Sequence, residues 1–161
     1  MRYKLLLPAA LTVALCLPGT ASADVTAFFG VSPTPSNRVL TGFSGGIGLL
    51  VVAFEFEYAK TVGDLDQLAP ELKTYMVNGL LQTPIPIGGI QFYATAGGGV
   101  FRETLEDVTE THVGLNIGGG IKMNLAGPLR LRLDYRVFTL RGDAVRHSKP
   151  QRFYAGLNLK F

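Results

Sequence analysis

The sequence has no tryptophan, one cysteine, two histidines and 17% charged residues in its 161 positions. Each scarcity excludes something. An average soluble domain is about 25% charged, so this composition argues against an ordinary cytosolic globule. The lone Cys16 lies in the apolar N-terminal segment, so neither disulfides nor thiol chemistry serve the rest of the chain. After Ala23 no apolar run approaches the roughly 18 residues of a membrane-crossing helix; the stretch from Ile47 to Phe54 falls far short. Disorder is excluded as well, because 47% hydrophobic residues can offset the entropy of ordering. The 20 glycines show no three-residue period, which removes collagen-like chains.

What is present begins with an export signal. Residues Met1–Ala23 read as a secretory signal peptide, with Arg2 and Lys4 ahead of an apolar segment from Leu5 to Leu17. Pro18 and Gly19 then break the helix before the small-residue exit Ala21-Ser22-Ala23. The apolar segment is shorter than the roughly 20 residues of a bilayer-spanning anchor. Leu15 ahead of Cys16 is not the small residue that lipoprotein signals share. The expected mature chain therefore runs 24–161, as one domain. Removal of Arg2 and Lys4 leaves thirteen basic residues against twelve acidic ones, so nucleic-acid binding loses its electrostatic motive.

The remainder alternates with a period of two, the mark of strands whose faces meet different media. Leu129, Leu131, Leu133, Tyr135 and Val137 interleave with Arg130, Arg132, Asp134 and Arg136. Phe54, Phe56 and Tyr58 interleave with Glu55 and Glu57, and Phe153, Ala155, Leu157, Leu159 and Phe161 with Tyr154, Gly156, Asn158 and Lys160. Eight strands follow, near 24–32, 41–50, 53–60, 71–81, 90–101, 112–123, 129–138 and 152–161. The stretches after odd strands (Ser32–Leu40, Thr61–Pro70, Arg102–Thr111, Thr139–Gln151) read as long polar loops, and those after even strands as tighter turns. Long loops on one rim and short turns on the other suit an outer-membrane barrel. Sixteen strands would leave under about nine residues each, too few to span; eight fit.

The terminal residues carry a resemblance. Tyr154, Gly156, Leu159 and Phe161 occupy the places of the C-terminal assembly signal of outer-membrane β-barrels. With the export signal and the Gly-rich alternating strands, the chain resembles the small eight-stranded outer-membrane barrels, the OmpA- and OmpX-like porin-family domains. That resemblance implies an all-β, eight-stranded antiparallel transmembrane barrel in the outer membrane of a Gram-negative cell envelope. It also implies periplasmic termini, contact with outer-membrane lipid and lipopolysaccharide, engagement of the barrel-assembly machinery through the last strand, and a monomer. Lacking tryptophan, the interfacial girdle must come from Tyr and Phe.

In such a barrel the apolar parity faces lipid, which sends Glu55, Glu57, Lys122, Arg130, Arg132, Asp134, Arg136, Arg152 and Lys160 inward. The third and seventh strands lie opposite in an eight-strand ring, so Glu55 and Glu57 are expected to meet Arg130, Arg132 and Arg136 across a narrow lumen. Buried charges pair rather than float, giving a salt-bridge plug, with a narrow anion-favouring pore as the sharper alternative. Alternation alone also serves a soluble exported lipocalin-like barrel with its faces reversed, binding a small apolar ligand.

Catalysis and cofactors find little support. Gly42-Phe43-Ser44-Gly45-Gly46 matches G-x-S-x-G, but a nucleophile elbow needs a strand-to-helix turn, and here a strand continues. The base would have to be His112 or His147, both expected on the rim; a lipid-modifying enzyme is thus the weakest alternative. The glycine clusters 45–46, 97–99 and 118–120 lack the lysine and helix of a phosphate loop and read as crowded strand positions. Asp64, Asp66, Glu103, Glu106, Asp107 and Glu110 have no calcium-loop spacing. No metal, cofactor or catalytic residue is expected.

Overall fold

The computed structural model describes residues 21–34, 36–64, 69–105, 108–141 and 149–161. Most of the expected signal peptide, with Cys16, lies outside the described residues, as do Asp66, Glu106, Asp107 and His147. Eight strands follow one another: β1 (Ser22–Ser32), β2 (Arg38–Leu49), β3 (Val52–Thr61), β4 (Glu71–Gln82), β5 (Ile90–Leu105), β6 (Val108–Ala126), β7 (Leu129–Arg141) and β8 (Gln151–Lys160). Each pairs with its sequence neighbour, and β1 pairs antiparallel with β8, so the sheet closes into a barrel. Ala23 and Phe161 finish the seam with two backbone hydrogen bonds, 3.2 and 2.8 Å. Strand β1 thus starts two residues ahead of the expected mature terminus at Asp24.

Closure settles the backbone, because in the body of the barrel every strand finds partners on both sides and the described residues there leave no sheet edge. The alternation then sorts the side chains. Phe29, Ile47 and Ile117 point outward and are 67%, 66% and 66% exposed, while Glu57, Arg132 and Arg136 point inward and are fully buried. Outward apolar side chains encircle the barrel, a surface too extensive for an ordinary soluble monomer. The faces are therefore not those of a lipocalin-like barrel, whose lumen would be apolar and whose outside would be charged. Phe43, Tyr58 and Tyr75 form a cluster of tilted outward rings, with centroids 5.5 and 5.1 Å apart, in the half of the barrel away from the chain termini.

The expected loop after the fifth strand is largely absent. Arg102–Leu105 and Val108–Thr111 continue as strand, in register from Arg102↔Thr111 to Leu105↔Val108. Threonines favour extended backbone, and the Thr104 and Thr109 hydroxyls lie 3.3 Å apart across this ribbon. Polarity there signalled a loop, yet a polar ribbon beyond a membrane pays no burial cost. The connection after β3 also narrows at its base, where Asp64 and Ala69 exchange two 2.8 Å backbone hydrogen bonds.

Candidate functional site

The inward face carries the chemistry, and its glycines make the room. A side chain at Gly120 would meet the Leu133 carbonyl at 2.1 Å and the Tyr93 hydroxyl at 2.5 Å. The bare backbone there lets the Tyr93 ring fill the lumen. Gly97 likewise leaves space for Asn78, which accepts a 2.8 Å hydrogen bond from Asn116.

Mid-lumen, three carboxylates and three guanidiniums form one connected layer. Arg132 pairs with Glu55 and, at 3.1 Å, with Asp134. Arg136 reaches Glu55 (3.1 Å), Glu57 (3.1 Å) and Asp134 (2.8 Å), and Arg152 holds Glu57 at 2.9 Å. Every one of the six is at most 3% exposed. Tyrosines complete the layer: Tyr93 donates its hydroxyl proton to Asp134 and accepts from Arg132 Nε at 2.8 Å. Tyr154 lies stacked on Phe28 at 4.1 Å, accepts from Arg136 at 3.3 Å and donates to Glu57 at 3.4 Å. Buried charges survive only when paired and hydrogen-bonded, and here carboxylates and guanidiniums match three to three.

On the loop side of this layer an apolar cluster lies beside the buried polar side chains of Arg38, Thr61 and Thr74. Leu72, Met76, Phe101, Phe138 and Leu140 pack into one buried cluster. The Arg152 guanidinium lies 4.5 Å over the Phe138 ring and joins the two zones. Toward the short turns the lumen opens into a cavity of about 150 Å³ lined by Asp24, Gln82, Gln91, Lys122, Arg130 and Lys160, among others.

The expected residues divide accordingly. Glu55, Glu57, Arg132, Asp134, Arg136 and Arg152 share the central layer. Arg130 departs from the expected Glu55–Glu57 encounter: it pairs with Asp24 at 3.2 Å and donates to Asn158 at 2.8 Å and Gln91 at 3.2 Å. Its place near the start of β7 puts it nearer the β1 end than the middle of β3. Lys122 joins the same Asp24 oxygen at 2.7 Å. Lys160 has the inward parity but is exposed at the mouth. Ser44 is buried in the lumen and donates to Glu55 at 3.1 Å. His112, 19% exposed, contacts Glu110 at 3.1 Å, and neither lies among the partners of Ser44. Of the four residues of the expected assembly signal, Tyr154 and Gly156 face the lumen, and Leu159 and Phe161 face outward.

Sequence reasoning missed Asp24, Tyr93 and the Asn78–Asn116 pair. Asp24 could have been found from parity, since it shares the inward face with Thr26 and Phe28. Tyr93 could not, because aromatic residues occur on both faces of these strands.

No protein-family model matches the chain, and no curated protein does either. Solved structures do. The N-terminal β-barrel domain of Pseudomonas aeruginosa OprF superposes with a TM-score of 0.68 at 16% identity, over 87% of this chain and 97% of that one. Neisserial surface protein A follows at 0.61 and 16%, covering 88% and 96%. Ail, the attachment invasion locus protein of Yersinia pestis, matches at 0.54 and 16%, covering 89% and 99%. An outer membrane enzyme, PagL, matches at 0.50 and 13%. The chain therefore has the fold of the small eight-stranded outer-membrane β-barrels.

Proposed function

We propose that this protein is an outer-membrane barrel with a plugged lumen: a structural, surface-presenting element rather than an enzyme or an open porin. The observation that carries this reading is the polarity of the closed sheet. Its outside is apolar, with Phe29, Ile47, Val77, Leu81 and Ile117 all more than 60% exposed, and its inside is filled by the ion-paired layer. Such a surface suits hydrocarbon, where closure satisfies every backbone group. The ion-paired layer and the apolar cluster above it support a plug, since their side chains are almost wholly buried. Ser44, engaged with Glu55 inside the lumen, supports the non-enzymatic reading.

The rest follows the family resemblance. A signal peptide ending at Ala23 exports the chain, and both termini sit on the periplasmic side. Outward Leu159 and Phe161, with Tyr154 and Gly156, form the pattern read by the assembly machinery. The barrel stands as a monomer among phospholipid and lipopolysaccharide, and needs no cofactor.

The test is insertion of the refolded protein into planar bilayers. The expected result is a protein that enters the bilayer, runs as a heat-modifiable band, and adds no discrete current steps. Steady porin-sized steps would overturn the plug. Failure to insert at all, with the protein soluble without detergent, would overturn the membrane assignment.

A further inference from the structure

Among the described side chains below the central layer the charges do not balance. Lys122 and Arg130 both lean on a single oxygen, Oδ2 of Asp24, at 2.7 and 3.2 Å. The other partners of Arg130, Asn158 and Gln91, are neutral amides and cancel no charge. Glu55 also lines this cavity, but its carboxylate is engaged by Arg132 and Arg136. Two cations thus share one carboxylate, and Lys160 adds a third positive charge at the mouth.

Both inner cations are withdrawn from water, the Lys122 side chain being 2% and that of Arg130 8% exposed. A desolvated cation in excess of its counter-charge is costly, and a cavity with low-dielectric walls focuses its field toward the opening. Donors remain to be used. An ammonium has three N–H groups and a guanidinium five, of which Lys122 gives one to Asp24 and Arg130 one each to Asp24, Asn158 and Gln91. The space of about 150 Å³ compares with roughly 30 Å³ for each water in the liquid.

We propose that this cavity is a dead-end binding site for a small soluble oxyanion of the phosphate class, held by Lys122 and Arg130 and admitted past Lys160. The strands wall the site from lipid, so the ligand comes from the aqueous phase at the short-turn mouth rather than from a lipid headgroup. The layer above, with matched charges, stops it from passing through.

Inorganic phosphate is the probe, titrated into the full barrel in detergent and followed by phosphorus NMR line broadening, with folding checked by the heat-modifiable band. Saturable binding is expected. Lys122→Gln should weaken it at least tenfold. Lys160→Gln, at an exposed position that leaves the fold intact, should weaken it severalfold and decides the matter if Lys122→Gln does not fold. Asp24→Asn discriminates best: removing the competing carboxylate should tighten phosphate binding severalfold, whereas an Asp24 that merely scaffolds the mouth would give weaker binding when replaced. Absence of saturable binding to folded protein, equal affinity in Lys160→Gln, or weaker binding in folded Asp24→Asn would each overturn the proposal. The titration needs no bilayer, so its outcome is separate from that of the conductance test.

Discussion

Two adjacent zones fill the same lumen by opposite means. In the middle, Glu55, Glu57 and Asp134 interlock with Arg132, Arg136 and Arg152; a few ångströms toward the loops, Leu72, Met76, Phe101, Phe138 and Leu140 form a hydrocarbon cluster. The meeting point is Arg152, with Glu57 on one side and the Phe138 ring beneath it on the other. Both zones exclude water, yet their tolerances differ. Dispersion is non-directional, so the apolar cluster needs volume and little else. The ionic layer needs each charge and each donor direction, since one missing partner strands another ion in a low-dielectric space. The interior of this barrel is thus not polar throughout. It is polar where ions can complete one another, and apolar where the sequence supplies inward hydrocarbon.

Breaking the ionic layer should produce the largest effect. Arg136→Leu leaves Glu55, Glu57 and Asp134 facing only Arg132 and Arg152, and such uncompensated buried charge costs about 3–5 kcal/mol. Most of the folded, heat-modifiable band should vanish from vesicle refolding; a urea midpoint equal to that of the parent would mean the layer is not a unit. Removing volume from the apolar cluster should hurt less. Leu140→Ala falls in the range of about 2–5 kcal/mol for such truncations, toward its lower end because neighbours near an open rim can relax into the gap. Urea unfolding in vesicles should show a lowered midpoint with folding retained, and a loss matching that of Arg136→Leu would erase the distinction between the zones. The smallest effect sharpens it. Met76→Leu conserves volume in the cluster and should cost under about 1.5 kcal/mol by the same unfolding assay. A larger loss would show that the cluster is as exacting as the ions.

The strands themselves were legible from residue types. In the segments around Glu55 and Arg132 parity alone separates two faces, because a one-residue slip would put arginines into hydrocarbon. Strand number followed from length and the thickness of a bilayer. The Arg102–Thr111 segment was not legible as strand, since the same polar residues suit a loop or a ribbon standing clear of the membrane, and only the pairing with β6 distinguishes them.

By itself, then, the sequence determined strands with one apolar and one charged face, because period-two alternation is a local property of each strand. It also placed Glu55, Glu57, Arg132, Asp134 and Arg136 on the face of their strands opposite the apolar one. What only the tertiary structure decided is the pairing across the lumen. Arg130 belongs to Asp24 and not to the glutamates, Tyr93 bridges Arg132 and Asp134, and Ser44 serves Glu55. Those choices depend on how far each strand is staggered around the ring and on how far a side chain reaches across it. Strand stagger is set by the closure of β1 on β8, a contact between the two ends of the chain that no local pattern encodes.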